Sequence, residues 1–145
     1  MKPEYQDLAV RCWLTPRLGS CRDVDLKLSI MDNGGAARFL EVVEEVCRDR
    51  YSPYRTITLK KSEPNDFGTF KLRKVEAGDD FQSLWIGVES GVPVLEFTEY
   101  AESYVLEAIA GWANGMEDYC LFPKDCKSRD LRSGELWFWV TMLPY

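Results

Sequence analysis

The chain has 145 residues, 46% hydrophobic and 29% charged, which fits one folded α+β domain over 1–145 and excludes a disordered segment. It contains no histidine, which excludes a Ser-His-Asp or Cys-His catalytic arrangement and any histidine-ligated zinc site within the chain. Its net charge of −6 is unevenly placed: Glu76 to Phe122 holds ten of the 24 acids and no base, so the remaining stretches together carry +4.

Met1-Lys2-Pro3-Glu4 leads straight into a strand-like run, so no targeting segment is expected. No apolar stretch approaches the roughly 18 residues of a membrane helix. The five cysteines are odd in number and lack CxxC spacing, so reduced thiols and a cytoplasmic location are expected. Leu8, Val10, Cys12 and Leu14 alternate with Arg11 and Trp13, the period of a half-buried strand. Thr15 to Ser20 reads as a turn, and Val24, Leu26, Leu28 and Ile30 form a second strand that closes a hairpin with the first.

Asp32-Asn33-Gly34-Gly35 breaks the strand and offers a helix cap. From Ala36 to Arg50 the apolar residues, Phe39, Val43 and Val46 among them, fall on one stripe, with Glu41, Glu44 and Glu45 opposite. This predicts an amphipathic helix that stops near Ser52-Pro53. Four strands follow, at Arg55–Lys60, Thr69–Val75, Leu84–Glu89 and Val92–Phe97, the last two joined by a Ser90-Gly91 turn. Pro93 predicts that the fourth of them lies at a sheet edge or begins after that residue.

Thr98 is the expected N-cap of a second helix whose buried stripe is Ala101, Tyr104, Val105, Ala108, Ile109 and Trp112, ended by Asn114-Gly115. A short strand around Asp118–Phe122 and a last one at Glu135–Met142 complete the order ββαββββαββ. Short turns favour antiparallel neighbours, so the expected architecture is a mainly antiparallel sheet of about six to eight strands with both helices on one face.

Alternation then divides the sheet. Leu8, Val10, Cys12, Leu14 and the matching residues of later strands should pack under the helices. The opposite, open face should carry Arg11, Lys27, Lys71 and Arg73 among Trp13, Trp85, Trp137 and Trp139. Such a face could be a contact surface on which two copies of the chain dimerise. It could also stack single-stranded nucleic acid, but the negative charge and the lack of an RNP-like sequence argue against that partner.

No residue set forms a catalytic motif, and no cofactor or metal is expected. Glu76, Asp79 and Asp80 lack the twelve-residue calcium-loop pattern, and Cys120 and Cys126 are spaced too far apart for a zinc pair. Cys21 and Cys126 read as the more exposed thiols. Tryptophans beside acids would also suit a carboxylate-dependent enzyme or a carbohydrate-binding domain, although one sequence does not pair two particular carboxylates.

The acidic segment carries the leading expectation. In size, charge and lack of catalytic motifs the chain resembles the small acidic cytoplasmic domains common among bacterial toxin-immunity proteins and other inhibitors, a likeness that assigns no residue a role. It implies a non-enzymatic protein that docks on a basic partner protein; the acidic segment itself offers Glu99, Glu102, Leu106 and Glu107 on the second helix and Glu117 and Asp118 beyond it as the expected contact residues. No membrane association is expected.

Overall fold

A computed structural model describes residues 6–16, 24–48, 54–78, 81–115, 119–121, 124–126 and 136–141. Its elements are β1 (Val10–Pro16), β2 (Val24–Ile30), α1 (Asn33–Arg48), β3 (Arg55–Thr58), β4 (Thr69–Lys74), β5 (Phe81–Glu89), β6 (Val92–Phe97), α2 (Glu102–Ala113), β7 (Tyr119–Leu121), β8 (Lys124–Cys126) and β9 (Leu136–Thr141). The expected order holds, with β8 added. The α+β class holds too, but one sheet of six to eight strands does not form. The strands make two sheets, of four in the order β1-β2-β9-β7 and of five in the order β3-β4-β6-β5-β8.

The local hairpins form as their turns dictate. β1–β2, β3–β4 and β5–β6 are all antiparallel. Ser90 (φ 51°) and Gly91 (φ 77°) make the two-residue turn whose positive φ values match the strand twist. What divides the sheet is non-local. β2 pairs in parallel with β9, Val24 opposite Leu136 through Ser29 opposite Thr141. β6 pairs in parallel with β4, Lys71 opposite Val94 through Lys74 opposite Phe97. β6 is therefore an interior strand rather than an edge, and it includes Pro93 instead of beginning after it. The proline is tolerated because the turn leaves its ring nitrogen facing away from β5, and pairing with β4 begins only at Val94.

The two halves of the chain share one plan. The run β1-β2-α1-β3-β4 is a hairpin, a helix and two further strands, and β5-β6-α2-β7-β9 repeats it, with β8 inserted. Each sheet joins the opening hairpin of one half to the closing strands of the other. A parallel bridge between Leu8 and Leu59 stitches the sheets together, with Leu8 N–H donating to the Thr58 carbonyl at 3.0 Å and Lys60 N–H to the Leu8 carbonyl at 2.9 Å.

One core lies between the helices and both sheets. Phe39 of α1 meets Phe70 of β4 edge-on at 5.4 Å and Trp112 of α2 at 5.7 Å. The expected core residues of the strands are buried except Leu14, which is 41% exposed at the far end of β1, and in the expected stripe of α2 Tyr104 is only half-buried. α1 begins where the sequence places it, the Asp32 Oδ1 accepting the Gly35 N–H at 2.9 Å. α2 begins differently. Thr98 is buried and forms a turn, its carbonyl accepting the Ala101 N–H at 3.0 Å, and the N-cap position falls to Ala101 without a side-chain cap. No described helix is long and apolar enough to cross a membrane.

Candidate functional site

Four acids of the central segment lie at the surface. Glu76, Glu89, Glu99 and Glu107 are exposed, while Glu96 is fully buried. Glu102 is half-buried and its carboxylate receives the Lys74 ammonium at 3.3 Å, the same ammonium that donates to the Cys47 carbonyl at the end of α1. Lys74 thus ties the C-terminus of one helix to the first turn of the other, where negative carbonyls and a carboxylate both favour a cation. Of the expected contact residues, Glu99 and Glu107 are surface groups without an ion pair to any described residue, Glu102 is held inside the molecule's own network, and Leu106 packs partly against the core. Glu117 and Asp118 lie outside the described residues, as do Asp79, Asp80 and Cys21.

Sequence reasoning missed Tyr100. It stands 74% exposed in the turn before α2, next to Glu99 and on the side of the helix that continues through exposed Ser103 and Glu107. Positions 100, 103 and 107 follow the helical repeat, so they share one face. The sequence signal was the placement of an aromatic one residue outside the buried stripe, at the position immediately before Ala101.

The two helices present different surfaces. Exposed α1 positions include Arg38, Glu41, Glu44 and Arg48, with opposite charges three or four residues apart. They sum to zero. The exposed side of α2 offers Glu99, Tyr100, Ser103 and Glu107, with no base among them.

The sheet faces away from the helices are less open than expected. Arg11 is 5% exposed because the segment between β3 and β4 folds over it. Asp66 accepts from Arg11 Nε at 2.8 Å and Nη2 at 2.7 Å, and from the backbone N–H groups of Ser62 and Glu63 at 3.0 and 3.1 Å. Burial alone would raise the Asp66 carboxyl, but the guanidinium and the two N–H groups outweigh it and hold it below the ordinary carboxylate range. The Trp13 ring lies 4.4 Å from the Arg11 guanidinium carbon.

A second row crosses the other sheet. The Tyr54 hydroxyl donates to Glu96 Oε2 at 3.1 Å, Arg73 Nε donates to the same oxygen, and the Arg73 guanidinium lies 4.2 Å from the Tyr54 ring centre. Trp85 stands opposite Glu96 in the register and is 6% exposed, its ring lying along its own strand so closely that a Cβ on Gly87 would come within 2.5 Å. Trp85 therefore does not belong to an open contact face. Trp13 is half-buried, and Trp137 and Trp139 stand in β9 opposite Asp25 and Lys27 of β2.

Among the described residues no group of three or more Cys, Asp or Glu could hold a metal ion. The Cys12 and Cys47 thiols are buried, and burial, with a nearby carboxylate in each case, pushes Cys47 up to about 12 and Cys12 well above the ordinary thiol value. Both are poor nucleophiles at neutral pH. No family model, curated protein or solved structure matches this chain.

Proposed function

We propose that this chain is a non-enzymatic binding protein of the immunity or inhibitor type, which docks the exposed side of α2 onto a basic surface of a partner protein. The observation that carries this reading is the contrast between the helices. The surface of α1 balances its own charges, whereas α2 leaves Glu99 and Glu107 without a described cation and sets a largely exposed Tyr100 beside them. Carboxylates of this kind draw a basic partner in from a distance, and an exposed tyrosine supplies a rigid amphipathic anchor once contact is made. The two roles separate kinetically, acids acting chiefly on the association rate and the anchor on dissociation.

The test takes the protein as bait in lysate of its native host, then measures the purified pair by stopped flow across ionic strength. Charge reversal at Glu99 and Glu107 is expected to slow association at least tenfold at low salt and flatten its salt dependence. Tyr100→Ala is expected to raise the dissociation rate about tenfold or more, the effect of losing a hot spot worth about 1–2 kcal/mol. An association rate that ignores the charge reversal, with a dissociation rate that ignores Tyr100→Ala, would refute the proposal.

A further inference from the structure

We propose that the two ββαββ halves of this chain are exchangeable between copies, so that β5–β9 of one molecule completes the sheets of a second and a reciprocal dimer forms with Glu76–Gly78, after β4, as hinge. The occupant of the exchanged interface is a second copy of this chain, because only that copy carries the matching edges. Without the other half, β2 would lack the six register partners it has in β9, and β6 the four it has in β4. Phe39 would also lose Trp112, its ring partner across the halves. Each half is thus an incomplete template whose complement is the other half, and these contacts have the same geometry whether the complement arrives from the same chain or another.

The connector meets the requirements of a hinge. Val75 N–H still donates to the Phe97 carbonyl at 2.9 Å, but Glu76 and Gly78 are exposed and a Cβ added to Gly78 would meet nothing within 4 Å. Glu76 and Gly78 therefore have little packing to lose when the hinge opens. The chain must pass over β6 to reach β5, since both β4 and β5 flank that strand. Two strand spacings make that crossing about 10 Å. The six peptide steps from Val75 to Phe81 can reach about 20 Å, more than that crossing needs. Removing Glu76–Gly78 leaves three steps and a reach of about 10 Å, too little both to cross β6 and to arrive at Phe81, which lies further out along β5 than Leu84, the partner of Phe97.

The closed monomer is favoured at low concentration because its halves meet at an effective concentration of millimolar order. Exchange should therefore be seen on refolding from denaturant at about 1 mM and be negligible at micromolar concentration. The experiment refolds the intact chain at both concentrations, isolates any dimer by size exclusion with light scattering, and dilutes it to micromolar in the cold. A dimer with monomer-like far-UV circular dichroism that survives dilution and reverts only after unfolding is the expected result. Deletion of Glu76–Gly78 is expected to give this dimer even when refolded dilute. A folded monomer from the deletion overturns the proposal. So does an intact chain that returns only monomer at about 1 mM, or whose dimer falls apart on dilution, which would mark surface association instead. If the deletion variant does not fold, the intact chain decides alone.

Discussion

Asp66→Asn would keep the shape of the side chain beside Arg11 and remove its charge. Arg11 is buried, so the variant leaves a guanidinium out of water without a counter-ion, and the expected loss is about 3–5 kcal/mol in urea unfolding at neutral pH. The loss should shrink in acid. Because the folded carboxyl titrates below its unfolded value of about 3.9, its contribution is complete above that value and disappears as pH falls through the folded one. The gap between wild type and variant stabilities should therefore narrow as pH falls below about 3.9; a gap that stays constant would mean that the charge is not what holds the loop. The two buried thiols give a second check at this scale. Cys12 and Cys47 should resist alkylation at pH 8 until the chain is unfolded, as read by peptide mass mapping, since burial keeps both as thiols.

At the scale of elements, the entry to α1 depends on a backbone approach that only glycine permits. A Cβ on Gly35 would lie 2.6 Å from the Ala9 carbonyl oxygen, whereas one on Gly34 would meet the side chains of Arg38 and Asp32 at 3.1 and 3.2 Å. Backbone cannot move aside as a side-chain tip can. Gly35→Ala is expected to cost about 1–3 kcal/mol. Gly34→Ala should stay within about 1 kcal/mol of wild type, because better helix propensity offsets a small rearrangement. Thermal unfolding of the pair checks this, and equal effects would remove the close approach as the cause. This is also the scale at which the sequence was most readable. Alternation located β2 to the residue, the Ser90-Gly91 turn marked the start of β6, and the 3.6-residue repeat identified Ala101, Val105, Ala108, Ile109 and Trp112 as buried. These patterns depend on which side of one element meets the core, a local property. β8 escaped because three residues cannot display a period, and its pairing with β5 is irregular.

At the scale of the molecule, what escaped was the choice of partners. Nothing within β2 or β6 specifies that each accepts a parallel strand from the other half, and nothing in Arg11 announces that Asp66, 55 residues away, will bury it. Alternation placed Arg11 and Trp85 correctly on the face away from the helices but could not show that this face is covered there. Charge was legible as a total and not as a surface. Of the ten central acids Glu96 and Glu102 are spent on Arg73 and Lys74. The docking reading consequently rests on position as well as net charge, and the two can be told apart. Reversing Glu41 and Glu44 on α1 changes the net charge as much as reversing Glu99 and Glu107, and all four residues are exposed. If the partner responds to the overall field, both double variants should slow association alike. If it docks on α2, the α1 variant should keep association within about threefold of wild type while the α2 variant falls tenfold or more, because screening confines each charge to roughly 8–10 Å at physiological salt. Measured on one purified pair at fixed ionic strength, equal slowing would leave general attraction standing and remove α2 as the docking face.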